Sequence, residues 1–297
     1  MAPYIAVSAL SHEGLVREHN EDSLTVGPWT LCATVTTNPQ TLLFPLGPPC
    51  VVAVTDGLGG HPGGEVASAL VARRLAAAGG GLDGEEAVRE ELQECNRAVY
   101  AAAAGEPELA AMGTTVAGLV LLPDRAVVFN VGDSRVYRIS SDGPEPPHTE
   151  PPTEPSAQER SARGRPARER PGPARETPTQ SSPAPVRLER VSVDDSPPLP
   201  PGRRTTPLVT QTLGGSLGLT FVEPHVRVAP LAAGDRYLVC SDGLTDPVPE
   251  EELAELLARA DGPSDRADGR AAFELWKAAV EAGGPDNITL ALVRIGE

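Results

Sequence analysis

TTVAGLVLLPDRAVVFNVGDSRVYRI, residues 114–139, reads as three β-strands in immediate succession, at 114–122, 126–131 and 135–139. Each run is dense in Val, Leu, Phe, Tyr and Ile, and only Pro123-Asp124-Arg125 and Gly132-Asp133-Ser134 separate them, both turn chemistry. No room is left for a crossover helix, so these are not βαβ units. Working outward, strand-like runs recur at 4–10, 50–55, 186–193, 225–228, 236–240 and 288–295, at least nine strands with the first three. Amphipathic helices lie between: 65–78, then 84–104, with Val88, Leu92, Cys95 and Val99 on one stripe and Asp83 and Glu86 as a capping pair. A third starts with Pro249 in its first turn followed by three glutamates, and a last one sets Phe273, Trp276 and Val280 on one face. Strands come in runs and helices in pairs, which predicts an α+β layered domain, not a doubly wound sheet.

The chain of 297 residues is 40% hydrophobic, ample for a sizeable core. Its 41 acidic against 25 basic residues leave a formal net charge of −16, which argues against attachment to nucleic acid or to an anionic lipid surface. Apolar runs such as 116–122 stop far short of the ~20 residues of a membrane helix. The first thirty residues carry no export pattern, since Arg17, Glu18, Glu21 and Asp22 stand where an apolar core would be. Cys32, Cys50, Cys95 and Cys240 are scattered without metal spacing and read as small buried residues in a reducing compartment; a cytoplasmic protein is expected.

Residues 142–185 differ from the rest. They hold no Ile, Leu, Val, Met, Phe, Trp, Tyr or Cys, and 12 of the 44 are proline. A stretch that cannot bury apolar surface cannot offset its ordering entropy, so a disordered surface insertion is expected. The runs that flank it, 135–139 and 186–193, read as arms of one hairpin, which makes residues 1–297 a single domain interrupted at 142–185.

Four aspartates share one placement. Asp56 follows VVAVT, Asp133 follows VVFNVG, Asp242 follows YLVCS and Asp286 precedes ITLALV, each just off a strand end. Carboxylates gathered at strand ends repel one another unless a hard divalent cation, Mg2+ or Mn2+, holds them. Asp-Gly pairs also make ordinary turns, as at Asp83, Asp261 and Asp268. What separates the site candidates is the near repeat of Thr55-Asp56-Gly57-Leu58 in Ser241-Asp242-Gly243-Leu244, as if two sheets each offered one equivalent ligand.

Six segments taken together, GLVREHNEDS (14–23), VAVTDGLGGHPGGEVAS (52–68), MGTT (112–115), VFNVGDSRVYRI (128–139), YLVCSDGLTD (237–246) and GGPDNITL (283–290), resemble in order the motifs of the metal-dependent serine/threonine protein phosphatases of the 2C type (PP2C), bacterial branch. The resemblance covers everything except the insertion. It implies an αββα sandwich, two face-to-face and mostly antiparallel β-sheets flanked by helices, with two Mn2+ or Mg2+ ions and a further, weaker one at an edge. It further implies that Asp56 bridges two metals with the Gly57 carbonyl beside it, that Asp242 and Asp286 are terminal ligands, that Asp133 serves the weaker ion and that Asp22 orients metal-bound water. Arg17 is similar to the family's phosphate-binding arginine, a role its planar fork suits. Asn20 and Glu21 then brace Asp22, and residues 113–115 permit a tight strand start.

The implied activity is hydrolysis of phosphoserine and phosphothreonine monoesters by a metal-bridging water, with no covalent nucleophile. Phosphorylated proteins, a serine/threonine kinase among them, are the implied partners of a monomer that binds neither nucleic acid nor membrane. A catalytically weak PP2C-like module that binds phosphoproteins or regulates is the alternative, against which the intact Asp56, Asp242 and Asp286 speak. Three departures stand out. Leu58 occupies a position where many relatives place a histidine acid, so the leaving-group proton is unassigned. Asp195 stands where a histidine is expected in VRLERVSVDDS (186–196), and the flap that usually follows is cut to the proline-rich 197–206.

Overall fold

The computed structural model describes residues 2–58, 63–141, 185–199, 202–203, 205–260 and 265–297. The expected disorder of 142–185 falls, but for Pro185, outside these residues. In chain order the elements are β1 (Tyr4–His12), β2 (Ser23–Val26), β3 (Trp29–Cys32), β4 (Gln40–Pro45), β5 (Cys50–Thr55), β6 (Gly57–Leu58), α1 (Gly63–Ala78), α2 (Glu85–Ala103), β7 (Gly113–Thr114), β8 (Val116–Leu121), β9 (Arg125–Val131) and β10 (Arg135–Ser141). There follow β11 (Val186–Arg190), β12 (Leu213–Gly214), β13 (His225–Pro230), β14 (Arg236–Cys240), α3 (Asp242–Thr245), α4 (Glu250–Arg259), α5 (Asp265–Glu281) and β15 (Ile288–Gly296).

Among the described residues the strands form two six-stranded sheets, β11-β10-β14-β15-β1-β4 and β13-β9-β8-β5-β2-β3, and a small one, β12-β7-β6. Every pairing is antiparallel. Both large sheets are covered on both faces, which is why strands such as β5 and β8 are buried at every position. In β5, Val52 and Val54 point into the layer between the sheets, where they meet Val7, Tyr237, Val239, Ala291 and Val293. Val51 and Ala53 point the other way, onto Val71 and Leu75 of α1 and Leu92 and Val99 of α2. The same alternation in β14 sends Leu238 and Cys240 outward, to Leu253 and Leu257 of α4 and Leu275 and Ala279 of α5. The result is the helix–sheet–sheet–helix order that the α+β expectation required.

All nine expected strands are present. β10 and β11 do form one hairpin, with Tyr137 opposite Arg190 and Ser141 opposite Val186. The structure adds the two-residue β6, β7 and β12 of the small sheet, and β2, β3 and β4, too short or too exposed to read: β2 turns into β3 at Gly27 (φ 55°), and β4 is an edge strand of half-exposed residues. Two helix starts need correction. Helix α2 begins after an extended Gly84 with no side-chain cap, because the Asp83 N–H is already turned back to the Gly81 carbonyl, so the Asp83/Glu86 box is not formed. Pro249 precedes α4 and does not lie inside its first turn. In α5 the buried stripe is Ala271, Ala272, Leu275 and Ala279; Phe273, Trp276 and Val280 flank it half-buried. No helix among the described residues is long and apolar enough to cross a membrane.

Candidate metal centre

Strand register gathers the acidic residues at one end of the sandwich. Ser23 pairs with Thr55, Val116 with Val131, Arg135 with Cys240, and Cys240 with Leu290, so Asp22, Asp56, Asp133, Asp242 and Asp286 all fall just past paired strand ends. Asp56 and Asp133 come from one large sheet, Asp242 and Asp286 from the other. That answers the near repeat: Thr55-Asp56-Gly57-Leu58 ends β5 and Ser241-Asp242-Gly243-Leu244 ends β14 of the facing sheet. Both glycines are obligatory, since a Cβ on Gly57 would overlap the Gly64 carbonyl and one on Gly243 the Asn287 carbonyl.

Arg17, Asp56, Gly57, Asp133, Asp242 and Asp286 line a single cleft of about 390 Å³, together with Leu58, Glu21, Pro207 and Val209. A groove of about 860 Å³ between α4, α5 and Asn38 is larger, but arginines and Phe273 line it, so the chemistry of the donors selects the smaller cleft. Asp22 does not reach the cleft surface. It lies fully buried behind it, accepting from Ser241 Oγ at 2.8 Å through Oδ2. Asn20 braces it as expected: Asn20 Oδ1 accepts the Asp22 N–H at 3.2 Å while its amide donates to Ser11 Oγ and the Thr34 carbonyl. Arg17, on the rim, donates to Asp286 Oδ2 at 2.7 Å.

Burial and mutual repulsion push the carboxylates up. The Asp56 carboxyl is raised well above the usual range, by burial first and then by the charges of Asp22, Asp242, Asp286 and Asp133. Burial raises Asp22 to about 7 against the lowering hydrogen bonds of Thr289 and Ser241, and raises Asp133 to about 7 with help from Asp242. Asp242 is raised by burial and by Asp286, and its Oδ1, like Asp22 Oδ1, is buried with no hydrogen-bond partner. The orphaned buried Oδ1 of Asp242, on the cleft wall amid five mutually repelling aspartates, is what a hard divalent cation satisfies, so the donor set fits Mn2+ or Mg2+. Among the described residues no three acidic, His or Cys side chains are already closed into a metal-holding group, and Arg17 keeps Asp286 in its ion pair.

Four supporting residues lie outside the set of candidate ligands. Thr115 accepts the Asp56 N–H through its hydroxyl and returns its own N–H to the Asp56 carbonyl at 2.9 Å, and Thr114 Oγ1 donates to that carbonyl at 2.8 Å. Thr114 and Thr115 thus grip Asp56 itself, beyond permitting a tight strand start. Asn287 accepts the Glu21 N–H at 2.8 Å and donates to the Glu13 and His19 carbonyls, stapling the loop that carries Arg17. Asp246, raised to about 6 by burial and Asp242, joins Asp133 and Asp242 around an adjoining small cavity. Its spacing of four from Asp242 in DGLTD is the one sequence cue that points to it.

Comparison with known proteins agrees with this layout. The Protein phosphatase 2C family model matches residues 46–272. The serine/threonine protein phosphatase PstP of Mycobacterium tuberculosis (strain CDC 1551 / Oshkosh) is 29% identical over 97% of this chain and 44% of its own length, so the chain spans about half of that relative. The serine/threonine phosphatase stp of Listeria monocytogenes serovar 1/2a is 31% identical over 82% of this chain and 83% of its own. A crystal structure of the PstP catalytic domain in complex with two manganese ions superposes with a TM-score of 0.65 at 26% identity, covering 99% of this chain and 100% of that one. With a family model across most of its length and the strand-end aspartates on both sheets, the chain belongs to the protein phosphatase 2C family.

Proposed function

We propose that the chain is a metal-dependent protein phosphatase that hydrolyses phosphoserine and phosphothreonine monoesters. The observation that carries this is the convergence of Asp56, Asp133, Asp242 and Asp286 from both sheets on one cleft. Asp56, the Gly57 carbonyl, Asp242 and Asp286 would hold two Mn2+ or Mg2+ ions, and Asp133 a further one. Such a pair supplies a nucleophile from water near neutral pH and neutralises phosphoryl oxygens during in-line displacement.

The chain's own groups do the rest. Arg17, more than half exposed on the rim, swings its guanidinium between Asp286 and the phosphoryl oxygens and orients the ester by two parallel hydrogen bonds. Asp22, anchored by Ser241 and Asn20, holds a proton-accepting oxygen behind Asp56. Leu58 on the cleft wall has no proton to give, so the leaving group is protonated by another donor. Phosphorylated proteins are the substrates, a serine/threonine kinase is a partner it opposes, and the enzyme is a cytoplasmic monomer whose domain runs through 1–297 around the 142–185 insertion.

The test is hydrolysis of p-nitrophenyl phosphate and a phosphothreonine peptide in EDTA and in Mn2+. Turnover should vanish in EDTA and return with Mn2+, while bis-p-nitrophenyl phosphate and DNA stay intact. Full turnover in EDTA, or none in any metal, sinks the reading.

A further inference from the structure

Asp195, the residue in the expected histidine position, is the hub of a network that none of the roles above uses. It sits beyond β11 and reaches the turn between β9 and β10. Its N–H donates to the Gly132 carbonyl at 3.0 Å, and the Gly132 N–H donates to its Oδ2 at 2.8 Å, so one residue clasps both polar groups of Gly132. The same Oδ2 accepts from Gln211 Nε2 at 3.0 Å, and Oδ1 accepts from His225 Nε2 of β13 at 2.9 Å. The Asp195 carbonyl in turn accepts the Thr210 N–H at 2.8 Å. With its side chain only 12% exposed, Asp195 depends on these donors to satisfy its charge.

What the clasp holds is the backbone next to Asp133. Gly132 has φ 101°, and a Cβ there would stand 2.7 Å from the Thr115 side chain, whose hydroxyl meets Ser134 Oγ at 2.7 Å. Asn130 adds a second tie across the same gap, donating to the Val193 carbonyl at 2.6 Å and accepting the Val193 N–H. Thr210 and Gln211, held by Asp195, close the segment that brings Pro207 and Val209 to the cleft wall. One carboxylate therefore joins the Asp133 turn, the cleft wall and β13.

We propose that Asp195, steadied by His225, is a positioning residue that fixes the Gly132–Asp133 turn and so sets the affinity of the cation position at Asp133; this rests on the metal reading of the cleft. A carboxylate suits the task because donors face both of its oxygens, whereas an asparagine offers one acceptor oxygen and an alanine none. At position 225 a glutamine keeps a donor for Asp195 Oδ1 and a leucine does not.

The experiment titrates the full chain with Mn2+, read by calorimetry and by the electron paramagnetic resonance of free Mn2+, alongside thermal melts and p-nitrophenyl phosphate turnover. Asp195→Ala should weaken the weakest Mn2+ step about ten-fold, the equivalent of one to two hydrogen bonds, and leave the tighter steps within about two-fold. His225→Leu should weaken the same step about three-fold and His225→Gln should restore it. An unchanged weak step in Asp195→Ala, or a uniform loss of all steps that tracks the melting temperature, overturns the proposal. If Asp195→Ala does not fold, the His225 pair decides, and equal affinities for Leu and Gln overturn it. A parent that binds only two ions removes the Asp133 position and the proposal with it, leaving the phosphatase reading in place. A parent that binds no Mn2+ overturns both.

Discussion

Asp56 stands under the repulsion of four other aspartates, and its carboxyl is raised well above the ordinary range for that reason and for its burial. In the metal-free chain this crowding is unfavourable, and a neutral isostere relieves it. Asp56→Asn should therefore raise the melting temperature in EDTA, by about 0.5–2 kcal/mol of stability, while cutting Mn2+-dependent turnover at least about 100-fold. A variant that melts lower than the parent in EDTA would show that Asp56 is held by favourable contacts instead. The acidic residues were legible because each follows or precedes an apolar run with a turn glycine or asparagine beside it. Ser241 and Thr115 were not, because nothing in their neighbours announces that one donates to Asp22 and the other grips Asp56 across 59 residues of sequence.

At the scale of elements, the loop from Glu13 to Glu21 owes its shape to Asn287, which makes three hydrogen bonds to it from the start of β15. Asn287→Ala leaves two carbonyls and one N–H to find other partners, at a cost of about 2–4 kcal/mol. Because that loop carries Arg17, turnover should fall with a rise in KM; denaturant melts and p-nitrophenyl phosphate kinetics check both, and a variant with parent stability contradicts the staple. The β10–β11 hairpin leads to the opposite expectation. Ser141 lies opposite Val186, so a short glycine-containing turn joins the strands once 142–185 is removed, and closing a shorter loop costs slightly less entropy. Melting temperature and turnover of small esters should stay at parent values; loss of both would mean the segment supports the core. Long apolar strands such as β5 and β8 declared themselves in sequence, whereas β2 to β4 did not. Four-residue strands and a half-exposed edge strand take their conformation from partners, β2 from β5 and β4 from β1, and carry little pattern of their own.

For the molecule as a whole, the raised carboxyls tie stability to pH. Asp22 and Asp133 at about 7 and Asp246 at about 6 all lie above the ordinary value of 3.8, so the folded state binds these protons more tightly than the unfolded chain does. Their contribution is full below about pH 4 and is lost as pH rises through 6 to 7. In EDTA the melting temperature should fall between pH 5 and 8, and Mn2+ should reverse the slope because ligands must ionise to bind; a melting temperature that rises with pH in EDTA would contradict the sign. The layering was legible in the sequence as runs of strands between paired helices, but the strand order was not, since β15 sits between β14 and β1, elements separated by almost the whole chain. That order has a consequence during synthesis. Once made, β1 can pair with β4, yet nothing joins that pair to β14 until β15, which also places Asp286, has been made. Asp56 and Asp133 thus stand at the ends of a finished sheet while Asp242 waits on a strand that β15 has yet to join, so the acidic cleft is complete only after β15 is made.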